Sequence, residues 1–202
     1  MNGGNGTEKH ILEVAGQMFL ERGYDGTSMS DIAAEMGMNR PALHYYFRTK
    51  DKLFIAAFVE TINGFLPNVQ SILESDAGFI EKLDRILDQY IAVLRKNPTL
   101  PRFIFNESQR DLKGLIALIN GVGYDKYMRS LRDNLMRAMD SGELRRMPPE
   151  VVFSAFFGLL VFPFFGSHVL SYMFDLDGKK YDAFISDWKL RVIDQMRALL
   201  VP

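Results

Sequence analysis

Residues 37–54 read GMNRPALHYYFRTKDKLF and gather Arg40, Arg48, Lys50, Lys52 and His44, three consecutive rings (Tyr45, Tyr46, Phe47) and a single acid, Asp51. The chain around this stretch is nearly neutral, with 24 Lys+Arg against 25 Asp+Glu in 202 residues. Any pull on a polyanion must therefore come from a local patch. Just upstream lies TSMSDIAAEMG, in which Ser28 and Asp31 have the spacing of a capping box and Gly37 closes a short helix. Asn39 is a good N-cap for a second short helix, and Pro41 falls in its first turn, where a missing N–H costs little. Thr49 is placed to cap the next helix. A short helix, the turn MGMN and a second short helix form a helix-turn-helix, with Ile32, Ala33, Leu43 and Phe47 as the apolar contacts between its halves. Its second helix matches a major groove about 12 Å wide. Asn39 to His44 then face base edges, with Arg40 offering a fork of donors to guanine and Asn39 an amide to a base or phosphate. Tyr hydroxyls and the Lys50 ammonium reach phosphates from the rim.

The combined pattern Thr27, Ile32-Ala33, Gly37, Asn39, Leu43, Tyr46-Phe47, Lys50, Asp51 and Leu53 resembles the DNA-binding region of the TetR family of bacterial transcriptional repressors. The likeness covers about residues 8 to 54. SGELRRMPPE (141–150) and the apolar segment after it are similar to the family's dimerisation region. The resemblance implies an all-α homodimer, two recognition helices reading a palindromic operator, and a cavity for a small-molecule inducer in a larger C-terminal domain. It also places Ser28, Asn39, Arg40, Pro41, Ala42, Tyr45, Tyr46 and Lys50 on positions that commonly touch DNA, with Ser30 beside them. His44 stands where many members carry tyrosine, so its role is open.

Outward from this stretch, every pattern is helical. Ile11, Ala15, Met18 and Phe19 form one stripe, stopped at Gly23. A helix from about Leu53 is expected to run to about Glu74. Leu83, Leu87, Tyr90 and Leu94 mark another, broken by NPTLP (97–101). Phe103 to Asp111 is a short amphipathic piece. Tyr124, Met128, Leu131, Leu135 and Met139 mark a long helix ended by Ser141-Gly142, and Tyr181, Phe184, Trp188, Val192, Met196 and Leu199 mark the last. The expected fold is all-α. An N-terminal three-helix helix-turn-helix domain spans residues 1–50, with 1–6 as a disordered arm. A helical bundle over 51–202 forms the dimer interface and the ligand cavity.

Val151 to Leu170 is twenty residues without a formal charge, long enough as a helix to span about 30 Å. No second such segment exists, and Glu150 and Asp175 rather than basic residues flank it. A buried helix is therefore expected, not a membrane span. Residues 150–171 with 181–199 would build a four-helix interface between two copies. The polar start, MNGGNGTEKH, lacks the apolar core of a signal peptide, so a cytoplasmic protein is expected.

In the larger domain, Phe65, Tyr90, Phe103 and Phe156, with Phe105, Phe157 and Tyr172, are candidate cavity walls. Asn106, Arg110 and His168, with Glu107, are candidate polar groups for a largely apolar ligand. The absence of cysteine excludes thiolate catalysis and disulfides. His10, His44 and His168 have no helical metal spacing, and neither a phosphate-binding glycine loop nor a nucleophile elbow occurs. No cofactor and no enzymatic activity are expected. The competing reading is an all-α small-molecule binding protein or enzyme that keeps the helix-turn-helix as scaffold.

Overall fold

The computed structural model describes residues 3–63, 66–121 and 123–202; the side chains of 3–5, 61, 62, 118 and 119 are outside that description. Among the described residues the regular elements are all helices: α1 Gly3–Arg22, α2 Met29–Glu35, α3 Arg40–Tyr46, α4 Lys50–Asn63, α5 Leu66–Glu74, α6 Phe79–Lys96, α7 Leu100–Gly121, α8 Tyr124–Asp140, α9 Pro149–Phe165, α10 Ser167–Phe174 and α11 Gly178–Leu200. They fall into two compact units, residues 1–64 with 102–124 and residues 65–101 with 125–202.

In the first unit α1 packs on α4 and α2, and α2 packs on α3. The stripe Ile11, Ala15, Met18, Phe19 is buried together with Leu53, Phe54, Ala57 and Phe58. Phe54 is the hub of a ring cluster, edge-on to Phe19 at 5.0 Å and tilted against Phe103 at 5.8 Å. Thr27 is buried, and its hydroxyl donates to the carbonyl of Gly23 at 2.9 Å, closing the α1–α2 turn.

Three expectations need correction in this part of the chain. α1 starts at Gly3, so residues 3–6 continue the helix and are not a disordered arm. Once a helix is nucleated, each added residue gains a backbone bond for one more fixed φ/ψ pair. The helix expected from Leu53 to Glu74 is two elements, α4 and α5. Pro67 has no N–H to donate backwards and sits in the first turn of α5, where that loss is harmless. The piece expected to end at Asp111 belongs to the longer α7, which kinks there: Asp111 has φ −149° and ψ 77°. The Asp111 Oδ1 accepts from Gly114 N at 2.9 Å and so caps the helix that restarts behind it.

In the second unit α6 contacts α5, α9 and α11, and α9 also contacts α11 and α10. The core holds Leu83, Ile86, Leu87, Leu131, Leu135, Phe156, Leu160, Val192 and Met196. Lys82 is buried, and its Nζ donates to Leu73 O at 3.0 Å and Asn134 Oδ1 at 2.8 Å, tying α5 to α6 and α8. Gly78 offers α6 no side-chain cap, and Glu143 Oε1 takes over by accepting from Phe79 N at 2.6 Å. Pro163 lies inside α9 and cannot donate to Leu159 O. The indole Nε1–H of Trp188, on α11, donates to that carbonyl at 2.9 Å.

The uncharged segment is not one helix. It breaks at Gly166, and α9 and α10 are bent by 66°. A Cβ on Gly166 would stand 3.2 Å from the Phe162 carbonyl, so the break is tight enough to favour glycine. Among the described residues no single helix is long and apolar enough to cross a membrane. Nor is the segment buried all round. Val152, Phe156, Leu160 and Phe164 face inward, whereas Val151, Phe162 and Phe165 are exposed, as are Val169, Tyr172 and Met173 of α10.

Trp188→Phe keeps the ring packing but strands the Leu159 carbonyl, and is expected to lower stability by about 1–3 kcal/mol in thermal melting. A wild-type melting temperature would show that this carbonyl has another partner.

Candidate nucleic-acid interface

α2 is fixed at both ends by local bonds. The Ser28 hydroxyl accepts from Asp31 N at 3.1 Å, and Ser28 N donates back to Asp31 Oδ2 at 3.0 Å, so the expected capping box is formed. Gly37, at φ +63°, closes the other end, with Met38 N donating to Ala33 O and Gly37 N to Ala34 O. This left-handed glycine turns the chain into α3. Asn39 Oδ1 then caps α3 by accepting from Ala42 N at 2.9 Å. Its carbonyl end is thus committed, and the amide end is the part that can meet a base or phosphate.

α3 turns one side to the core and the other to solvent. Ile32, Ala33, Leu43 and Phe47 are buried, as the pattern required. Ser28, Ser30, Asn39, Arg40, Pro41 and Ala42 are exposed, His44, Tyr46 and Lys50 are half-buried, and Tyr45 is 84% exposed. The rings of Tyr45 and Tyr46 meet edge-on at 5.4 Å. The ten candidate DNA contacts therefore lie on α3, its cap, the start of α2 and the first residue of α4. His44 has a visible local role. Its Nε2 accepts from Arg40 Nε at 3.3 Å, and its Nδ1 lies 3.1 Å from Arg48 O. With the proton on Nδ1 both bonds hold at once, and the imidazole steadies the Arg40 side chain. A tyrosine at this position has no ring nitrogen and could not hold both bonds.

Lys50 opens α4, where Thr49 Oγ1 accepts from Lys52 N at 3.2 Å. Its Nζ lies 4.0 Å from the centre of the Tyr24 ring. The Tyr24 hydroxyl donates to Asp51 in a short bond, and the Arg110 guanidinium stands 4.4 Å from the same ring. Burial first, and then the Asp51 carboxylate, push the Tyr24 phenol up to about 12. Because the folded value is raised, the neutral phenol supports the fold below the ordinary value of 10.0 and loses that support as pH climbs through about 12. Sequence reasoning missed Tyr24: it follows a stop glycine, and its charged partners, Lys50, Asp51 and Arg110, are 26 to 86 positions away, where no spacing rule reaches.

The candidate ligand residues divide between the two units. In the first, Phe103 is buried in the ring cluster, Asn106 is exposed, and Arg110 pairs with buried Glu107 through Nε at 2.8 Å and Nη2 at 2.7 Å. In the second, Phe156 is buried, and half-buried Tyr90 meets Phe157 edge-on at 5.7 Å and lies 3.1 Å from Tyr127 through the hydroxyls. His168 is exposed on α10. Phe65 lies outside the described residues.

These features define a helix-turn-helix protein that presents a basic, aromatic helix. Residues 11–57 match the model for bacterial regulatory proteins of the tetR family. The chain is 24% identical over 135 residues to the fatty acid metabolism regulator protein of Bacillus subtilis (strain 168), covering 67% of this chain and 69% of that one. Its fold is similar to AibR, solved with isovaleryl coenzyme A and operator DNA, at a TM-score of 0.70 and 21% identity over 96% of this chain and 97% of that one. It is also similar to a transcriptional regulator from Saccharomonospora viridis solved with choline, at a TM-score of 0.72 and 19% identity over 98% and 99% of the two chains. Residues 11–57 thus carry the DNA-binding region of the tetR family of bacterial regulatory proteins.

The Asp31 carboxyl is held below its ordinary range, chiefly by the Ser28 hydroxyl and then by the Ser28 N–H. A depressed folded value means that the capping box supports α2 at neutral pH and fails as pH falls through that value. In an NMR titration Ser28→Ala is expected to move the Asp31 midpoint up toward 3.8. An unmoved midpoint would show that the hydroxyl is not what holds it down.

Proposed function

We propose that this protein is a cytoplasmic, ligand-responsive repressor that binds a palindromic operator as a homodimer and is released by a small, largely apolar molecule. The observation that carries the reading is the two-sidedness of α3: Leu43 and Phe47 hold it to α2 while Arg40 and Tyr45 stand in solvent. Arg40 reads a base edge. Ser28, Ser30, Asn39, Pro41, Ala42, Tyr45, Tyr46 and Lys50 set the register on the phosphates and groove walls. His44 acts through Arg40.

Pairing of two copies is supported by the apolar surface of the second unit, where Phe162, Val169, Tyr172, Met173 and Leu190 are all more than half exposed. A chain seldom leaves so many large apolar side chains in water unless something covers them. In the proposed dimer a twin covers α9 to α11 through residues 150–171 and 181–199, and two reading helices would have to meet successive major grooves about 34 Å apart, one turn of the duplex. The solved relatives with isovaleryl coenzyme A and with choline support small-molecule control, since this fold admits ligands of very different charge. A ligand acts by binding one arrangement of the dimer better than the other. α4, which starts at Lys50, is the lever. Residues 51–202 then serve ligand binding and dimerisation, and 1–50 serve DNA reading.

The test is fluorescence anisotropy of the full chain on DNA upstream of its own coding sequence, against random duplex, at several salt concentrations. Arg40→Ala is expected to cost about 1–3 kcal/mol on the specific site and much less on random DNA. Equal losses on both would remove its base-reading role. Lys50→Ala is expected to weaken all sequences alike and to reduce the salt slope by about 1. Indifference of wild-type protein to sequence would overturn the repressor reading and favour the scaffold alternative.

A further inference from the structure

The first unit contains a cavity of about 550 Å³ bounded by Tyr24, α4 and both halves of α7. Its walls are largely apolar and include Phe54, Ile55, Val59 and Leu115. Its charges are unbalanced: Asp51, Glu107 and Asp111 line it against one cation, Arg110. That one cation is held in two ways. Its Nε and Nη2 both donate to Glu107, which is 5% exposed, and its guanidinium rests on the face of Tyr24. A ring face and a buried carboxylate converging on one point form a receptor for a positive charge. Here the receptor is filled by an arm of the chain itself. Arg110 can leave, because its side chain is 37% exposed and the helix ladder is already interrupted at the next residue, Asp111.

We propose that this cavity binds a cationic, largely apolar small molecule whose charge takes the place of Arg110 between Tyr24 and Glu107. This rests on the ligand-responsive reading above and names the chemistry of its ligand. An anion fits poorly. Its natural partner, Arg110, already spends its inward donors on Glu107, and the other charged walls would repel it. Removing a carboxylate's only cation leaves an uncompensated buried charge, which a cationic ligand relieves and an anionic one aggravates. The site also adjoins the DNA-reading end, since Tyr24 carries Lys50 as well as Arg110. Exchange of one cation on that ring is therefore felt by the other.

The test uses the full-length chain and two probes of the same shape and opposite charge, tetraphenylphosphonium and tetraphenylborate, with binding followed by calorimetry in the absence of DNA. Tetraphenylphosphonium is expected to bind saturably and at least about tenfold more tightly than tetraphenylborate. Glu107→Gln, which keeps the shape and removes the charge, is expected to weaken the cation about tenfold or more. Arg110→Ala removes the resident competitor, so cation binding is expected to hold or tighten. Preference for tetraphenylborate, loss of cation binding in Arg110→Ala, insensitivity to Glu107→Gln in a folded protein, or no saturable binding would each overturn the assignment. Operator release is read separately. Cation binding at this site without any release would leave the site standing and overturn ligand-responsive repression instead.

Discussion

A helix of seven residues cannot hold itself together in water. Nucleation consumes most of what its few backbone bonds return, and isolated helices shorter than about 12–15 residues are marginal. α3 is such a helix, and the rest of the DNA-reading surface depends on its being rigid. Three things supply the rigidity: the Asn39 cap, the left-handed Gly37 that delivers the chain to it, and the burial of Leu43 and Phe47 beside Ile32 and Ala33. Gly37, Leu43 and Phe47 do not face the groove, and Asn39 spends only its carbonyl end on the cap. This frees the outer side for Arg40 and Tyr45, which are steadied there by His44 and Tyr46.

That division of labour explains why this part of the molecule was legible in the sequence. Caps, turn glycines and i to i+3 spacings act within a few residues, so their signatures survive in a linear reading. The Ser28–Asp31 box, the Gly37 turn and the buried quartet all formed as the pattern demanded. What was illegible depends on distant pairs. Tyr24 meets Asp51, Lys50 and Arg110 through folding of α1, α4 and α7, and no local pattern announces it. Pro163 could be seen to orphan a carbonyl, but nothing in the sequence pointed to Trp188, 25 residues on, as the donor that repairs it. The Asp111 kink lay at the edge of a recognised segment, and its side chain serves as the cap of the helix that follows.

The uncharged segment shows a different limit. Composition alone fits a membrane span, a core helix and an interface, since all three remove apolar side chains from water. Geometry separates them. A bend of 66° at Gly166 and a face split between buried Phe156, Leu160 and Phe164 and exposed Phe162 and Phe165 suit a helix with protein on one side and an uncovered surface on the other. The exposed rows continue along α10, so the break redirects the apolar surface without ending it.

α4 joins the proposed reading end to the proposed cavity. Lys50 opens it at the proposed reading end, while Asp51, Phe54, Ile55 and Val59 follow within three turns and line the cavity. In the proposed mechanism both sites share this one helix, so a displacement at one is carried toward the other. Allosteric couplings of about 1–3 kcal/mol correspond to roughly 5–150-fold changes in affinity. Cation–π contacts lie in the same range when desolvated, at about 2 kcal/mol. The exchange of one cation on the Tyr24 ring is thus of the right size to bias the Lys50 end of the rod. A bistable contact beside the lever's pivot is sufficient, and no long chain of intermediates is required.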